Sequence, residues 1–288
     1  MPEEPRPIAP PPQVAAALAR VGDELAGFGE PFFYYAEVGS TNDLAARLAA
    51  GGAPEGTTVV AAAQTAGRGR MGRAWHSPPG AGLYVSVLFG GRSGADAGSP
   101  ASPPGRGTSL LTLMAGVALA EGVERATGLR ADLKWPNDLV VEPPGVPWRG
   151  RRKLAGILAE AISDAGGLVS VVLGFGINLR PAALPPELAD RVTSLEGELG
   201  HRVDGAVVLA ECLAALGRWR RALRAGGAAH LLERWRTRGA PSFGREVEWR
   251  EGGRTLRGVT RQLDEAGALV VERAGGRHAI LSGEVTWL

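Results

Sequence analysis

The texture of the chain changes at Ser242, and that change restricts its fold more than any other feature. Upstream, apolar residues recur at helical spacing over Ser109–Thr127, Asp204–Ala225 and Ala228–Thr237. They run together as strands over Thr57–Ala63, Gly82–Phe89, Leu154–Ile162 and Leu168–Asn178. Downstream, EVEWREGGRTLRGV, QLDEAGALVVER and AILSGEVTWL are short alternating segments, with turns at Gly252-Gly253 and Glu265-Ala266-Gly267. About 47 residues of antiparallel β-structure bury too little surface to stand alone, so this piece should lean on the larger part. The layout predicts an α+β chain in three parts. Residues 1–29 form a disordered, proline-rich tail with one short helix from Gln13 to Ala26, residues 30–238 a large domain, and residues 239–288 a small β-barrel.

Composition mostly excludes functions. Acidic and basic side chains nearly cancel, at a formal net charge of +2, which gives no general drive toward nucleic acid or anionic membranes. The longest apolar helix candidate, Thr108–Ala120, ends at Glu121, short of the roughly 20 residues a bilayer span needs. The start, MPEEPRPIAPPP, lacks the basic end and apolar run of a signal peptide. The single cysteine, Cys212, excludes an internal disulfide and sits in LAECLAAL as a buried structural thiol. A cytoplasmic protein is expected. His76, His201, His230 and His278 are scattered without metal-ligand spacing, and no serine elbow or Cys/His pair suggests a covalent enzyme intermediate.

The densest chemistry lies in Gln64–Ser77, QTAGRGRMGRAWHS. Gly67 to Gly72 satisfies GxGxxG after a strand, but Trp75-His76-Ser77-Pro78-Pro79 follows. That run cannot open the helix a dinucleotide fold needs. Neither lysine stands in a phosphate-loop context. What remains is a glycine-softened loop carrying Arg68, Arg70 and Arg73, whose guanidinium forks suit carboxylate and phosphate oxygens. A solvated basic turn, or an element touching nucleic acid, fits the loop alone equally well.

Rare residues point further. Only two of the 32 basic residues are lysine, Lys134 and Lys153, and Asn42, Asn137 and Asn178 are the only asparagines. Ala, Gly, Arg and Pro are plentiful, so a lysine that persists marks a need for a compact amine. The lysines head two strings, Lys134-Trp135-Pro136-Asn137-Asp138 and Lys153-Leu154-Ala155-Gly156-Ile157-Leu158-Ala159-Glu160. A third, Gly174-Phe175-Gly176-Ile177-Asn178, ends a strand where bare backbone can lie against a ligand. Each has a plainer reading. Ser40-x-x-Asp43 is also a capping box, Trp135-Pro136 a packed turn, and Lys134 a surface cation. Gly156, Gly174 and Gly176 could be bulges or close strand crossings, and Trp148 with Arg149–Arg152 a solvated basic loop.

Taken together, STN at 40–42, Q-TAGRGR-MGR-W at 64–75, KWPND, KLAGIL-E and GFGIN resemble the biotin protein ligases in order and spacing. The resemblance runs over roughly residues 30–288. It implies a class II aminoacyl-tRNA synthetase-like catalytic domain, a mixed β-sheet flanked by helices, with a C-terminal β-barrel. It also implies a ligase that makes biotinyl-5′-adenylate from biotin and Mg·ATP and passes the acyl group to a lysine of a biotin carboxyl-carrier domain. No tightly bound prosthetic group, nucleic-acid partner or protein ligand set for a metal is expected, and an exposed sheet edge would permit a homodimer.

The family pattern then assigns the site. Ser40, Thr41, Asn42, Gln64, Gly67, Arg68, Gly69 and Arg70 line the biotin and adenylate pocket, with Arg68 and Arg70 clamping the carboxylate and α-phosphate. Gly156, Gly174, Gly176, Lys134, Asn137 and Asn178 complete it, Trp75 packs near the adenine, and Lys153 places a point charge at the reacting groups. Asp138 either orients the incoming lysine amine or helps hold Mg²⁺. Met71 stands where the family often has another basic residue, and the Gly90–Gly107 insertion has no assigned role. The nearest rival is a lipoate ligase or octanoyl transferase of the same fold.

Overall fold

The computed structural model describes residues 5–90, 106–142, 151–164, 167–181, 188, 190–281 and 283–288. Trp148 and most of the Gly90–Gly107 insertion therefore lie outside the described residues. Seven strands form one mixed sheet: β1 (Phe32–Tyr35), β2 (Thr58–Ala61), β3 (Gly82–Gly90), β4 (Asp132–Lys134), β5 (Asp138–Val141), β6 (Arg152–Asp164) and β7 (Gly167–Asn178). Their order is β1-β2-β3-β7-β6-β5-β4. β1 and β2 run parallel, and the other neighbours are antiparallel.

The strand period of two splits the central strands into unlike faces. Val85, Val87, Phe89, Ile157, Leu173, Phe175 and Ile177 point into the main core. Against them pack α3 (Arg106–Thr127), the short α4 (Leu195–Leu199), α5 (Gly205–Arg224) and α6 (Ala228–Gly239). Leu113 to Ala120 of α3 are all buried, as expected of a helix apolar all round. α3 crosses α5 closely: a Cβ on Gly122 would lie 2.7 Å from the Cys212 backbone, and burial pushes the Cys212 thiol up. The alternate positions, among them Ser86, Gly156, Glu160, Gly174 and Gly176, face the opposite side. There α2 (Thr41–Ala50) covers only part of the sheet, packing Leu44, Ala45 and Ala49 onto Leu88 and Val172.

The C-terminal strands β8 (Glu246–Glu251), β9 (Arg254–Leu263), β10 (Leu269–Arg273), β11 (Gly276–Ile280) and β12 (Val285–Trp287) form a second sheet, ordered β11-β10-β9-β8-β12. Gly252 and Gly253 both take positive φ at the β8–β9 turn, as a type I′ hairpin requires. Val247, Trp249, Leu263, Leu269 and Val271 belong to the same hydrophobic cluster as Leu113, Leu133 and Trp135. Trp135 Nε1 donates to the Gly267 carbonyl (3.2 Å), and Ser242 Oγ to that of Leu133 (3.2 Å).

Two expectations need correcting, and three strands went unread in the sequence. The first helix, α1 (Pro12–Val21), stops five residues early, because Gly22 at φ +42° breaks it and a single 3₁₀ turn follows. β1, β4 and β5 left no sequence signal, being too short to show alternation. Arg151 is not on a solvated loop: its side chain is 3% exposed and paired with Glu142 (2.9 Å) and Asp132 (3.6 Å).

Candidate active site

The uncovered face holds a cleft of about 480 Å³, open to solvent. Its floor is glycine. Gly156 and Gly176 lie opposite each other across β6 and β7, and Gly174 lies opposite Leu158 and, on β3, Ser86. A Cβ on Gly176 would lie 2.3 Å from Trp75 Nε1, and one on Gly174 2.1 Å from Asn42 Oδ1. A Cβ on Gly156 would meet Lys153 Nζ and the Trp75 ring at 3.0 Å. The three residues allow side chains to lie flat on the sheet, and no bulge falls at any of them.

α2 delivers Ser40, Thr41 and Asn42 to one end of the cleft, all buried. The capping-box reading of Ser40-x-x-Asp43 does not hold, since the Ser40 side chain makes no capping bond. The residues bond elsewhere. Thr41 N and Oγ1 lie 2.9 and 3.1 Å from Gln64 Oε1, and Gln64 Nε2 donates to Ser77 Oγ (3.0 Å). Asn42 Nδ2 donates to Glu160 (2.6 Å), while Ser86 Oγ lies 2.5 Å from Asn42 Oδ1 and 2.8 Å from Thr41 Oγ1.

The glycine-rich loop is a closed hairpin rather than a helix entrance. Trp75 N donates to Gly67 O (2.8 Å) and Gly69 N to Arg73 O (2.7 Å), with Met71 left-handed (φ 57°) and 73% exposed at the tip. Arg68 is held by the protein itself. Nη1 and Nη2 grip Asp43 at 2.9 and 2.7 Å, and Nη2 also reaches Glu160 at 3.3 Å. The Asp43 hydrogen bonds raise the Arg68 pKa further, and Arg68 holds the Asp43 carboxyl below its ordinary value. Arg70 instead bends toward the C-terminal sheet, donating to Asn137 Oδ1 (3.5 Å) and Gly283 O (3.4 Å). Trp75 lies over Gly156 and Gly176, its Nε1 buried with no hydrogen-bond partner among the described residues and its ring 5.3 Å from Lys153 Nζ.

Lys153 stands at the other end, 2.6 Å from Asp138 Oδ1. Its backbone is pinned by Arg191 O and Thr193 N at 2.8 and 2.9 Å. Asn178 Nδ2 donates to Thr193 O (2.9 Å) and Asn137 Nδ2 to Ile157 O (2.7 Å), so both amides brace the strands that carry the lysine. Asn137 also lines the cleft, whereas Asn178 and Lys134 do not. Lys134 lies opposite Asp138 across the β4–β5 hairpin, 5.9 Å from the Trp287 ring. Burial holds its pKa below the ordinary value, with Asp138 partly offsetting. Lys134, Asp138 and Lys153 face a wide, solvent-open groove between the loop tip and the Gly283–Leu288 segment. Arg70, Arg73 and Arg191 also line it, a cationic surface suited to a polyanion. Asp43, Ser86 and Glu160 were given no site role from sequence, although Glu160 closes the KLAGIL-E string and Asp43 the Ser40-x-x-Asp43 pattern. Ser86 carried its own signal, as a lone polar residue inside GLYVSVLF.

A glycine-floored cleft with a polar end that meets a cationic groove at a lysine–carboxylate pair has room and charge for two anionic substrates side by side. The chain belongs to the biotin/lipoate A/B protein ligase family, whose model matches residues 35–178. The model of the biotin protein ligase C-terminal domain matches residues 242–286. It is 33% identical over 280 residues to the bifunctional ligase/repressor BirA of Bacillus subtilis, covering 96% of this chain and 80% of that protein. It is 34% identical over 280 residues to the biotin--[acetyl-CoA-carboxylase] ligase of Mycobacterium tuberculosis, covering 92% and 93%. Its fold is similar to the biotin protein ligase from Aquifex aeolicus solved with biotin and ATP. There the TM-score is 0.72 and the identity 28%, over 89% of this chain and 97% of that one. Among the described residues, no helix is long and apolar enough to cross a membrane.

Proposed function

We infer that the chain is an ATP-dependent biotin–protein ligase. It makes biotinyl-5′-adenylate and transfers the acyl group to a lysine of a biotin carboxyl-carrier domain. The observation that carries this reading is the position of Lys153, where the glycine-floored cleft opens into the cationic groove. A carboxylate oxygen of biotin attacks the α-phosphorus of ATP, and the bond to the departing pyrophosphate breaks. The amine nitrogen of the carrier lysine then attacks the acyl carbon, AMP leaves, and the amine loses a proton. Both anions in the first step need positive charge fixed beforehand, which Lys153 and Arg70 supply.

In this reading Ser40, Thr41, Asn42 and Gln64 bind the ureido ring, with Gly67 and Gly69 letting the loop close over it. Trp75, expected beside the adenine, covers the acyl chain instead, and its free Nε1–H serves the ligand. Arg68, spent on Asp43, anchors the loop rather than clamping phosphate. Lys134 faces the triphosphate. Asp138 holds Lys153 in place and is positioned to orient the incoming amine. A magnesium ion entering with ATP would meet the carboxylates of Asp138 and Glu284, which both line the groove, and would screen phosphate charge. The buried, free Cys212 suits a reducing cytoplasm. Residues 30–238 and 239–288 are its two domains. β6 runs past the end of β5, leaving an edge that suits homodimer pairing.

The test is mass spectrometry of a carrier domain incubated with the protein, Mg·ATP and either biotin or lipoate. One biotinyl group on one lysine is expected; labelling by lipoate alone would overturn the assignment.

A further inference from the structure

The polar end of the cleft is a chain of contacts in which three oxygen–oxygen pairs share two hydroxyl protons, and the two shortest pairs take them. Glu160 is accept-only when ionised, so Asn42 must turn Nδ2 toward it, at 2.6 Å. That places Asn42 Oδ1, also accept-only, 2.5 Å from Ser86 Oγ, so the single Ser86 proton points to Asn42. Of the two acceptors left to the Thr41 hydroxyl, Ser86 Oγ at 2.8 Å lies nearer than Gln64 Oε1 at 3.1 Å and takes the proton. The Thr41 hydroxyl proton is thereby spent, and its 3.1 Å contact with Gln64 Oε1 carries no hydrogen bond. Gln64 Oε1 keeps only the Thr41 backbone N–H, at 2.9 Å, and has one lone pair free at the cleft.

We propose that Glu160 is a positioning residue that sets the donor direction of this chain and so keeps Gln64 Oε1 open to an N–H of the substrate. Glu160 does not line the cleft. It acts through Asn42, Ser86 and Thr41. Replacing it by glutamine keeps shape and volume but removes the accept-only constraint. Asn42 can then flip its amide, Ser86 can turn its proton to Thr41, and Thr41 can turn its own to Gln64. The substrate meets an acceptor already occupied. The loop should not loosen, because Asp43 still grips Arg68 with two hydrogen bonds.

This inference rests on the biotin-ligase reading, in which the ureido ring supplies the N–H. The experiment is steady-state kinetics of wild type, E160Q, S86A and the double variant in the full chain, with melting curves for each. E160Q should raise the biotin KM about tenfold while leaving kcat and the ATP KM within twofold. The Glu160 side chain is 40% exposed, so the melting temperature should hardly move. S86A cuts the chain of contacts between Asn42 and Thr41, so E160Q should add less than twofold in that background. An unchanged biotin KM in E160Q, a matching loss of kcat, or a tenfold effect persisting in S86A would each overturn the proposal. Failure of the wild type to use biotin would instead defeat the functional reading beneath it.

Discussion

Gly176→Ala tests the glycine floor directly. The added Cβ would stand 2.3 Å from Trp75 Nε1, and ordinary contact begins near 3.4 Å, so the indole must retreat by about 1.1 Å. β7 cannot yield instead, since it is hydrogen-bonded to β3 on one side and β6 on the other. Trp75 is only half-buried and sits on a loop, so it moves outward at little cost to the fold. Overpacking at a closed site costs about 1–3 kcal/mol. Here that cost should fall on the ligand, as a roughly 5- to 150-fold loss of biotin affinity. Gly156→Ala meets the end of the Lys153 side chain and the rim of the indole at 3.0 Å and should weaken binding far less. Calorimetric titration with biotin measures the affinities, and a thermal melt checks the fold. A G176A protein that binds biotin within twofold of wild type, or one weakened no more than G156A, would refute the argument that this floor sets the height of the indole.

Lys153→Ala should lower adenylate formation about 10²- to 10³-fold, the scale for loss of a preorganised charge; pyrophosphate release would report it. The melt should barely change, because Arg191 and Thr193 hold the backbone there; activity within a few-fold of wild type would contradict the mechanism. Burial lowers the Lys134 pKa, so its ammonium is lost as pH rises through a value below the ordinary 10.5. ATP KM should therefore climb on the alkaline side earlier in wild type than in K134R, and coincident profiles would remove Lys134 from the triphosphate. Arg68 depresses the Asp43 pKa, so this pair contributes stability above the unfolded value near 3.8 and loses it only as pH falls through the lower folded value. Hydrogen exchange of the Gly67–Trp75 amides should stay protected from pH 7 down to that range and be faster throughout in D43N.

The long elements were legible because period and run length survive in sequence. Leu154–Ile162 and Leu168–Asn178 read as strands and lie within β6 and β7, while Asp204–Ala225 reads as α5. Short strands carry no period, and the β10–β11 hairpin at Gly275 and Gly276 went unmarked beside a stronger turn signal upstream. In the site, residue type gave the cast but not the pairings. An arginine beside a carboxylate substrate and one beside an internal aspartate look identical in sequence, and only the fold places Asp43 within reach of Arg68. Gly174 and Gly176 were ambiguous for the same reason, since what a glycine makes room for lies 132 or 101 positions away, at Asn42 and Trp75.

Trp135, from the motif beside the lysines, sits in one hydrophobic cluster with Trp249 and Val271 and donates its N–H to Gly267. A core continuous from α3 through this indole to the C-terminal strands has no plane along which to part. Heat should melt the two sheets in one calorimetric transition. The C-terminal sheet, open between β11 and β12 rather than closed into the expected barrel, is then less a detachable cassette than the far wall of a single folding unit, and damage to its interior would be felt as lost catalysis at a distance.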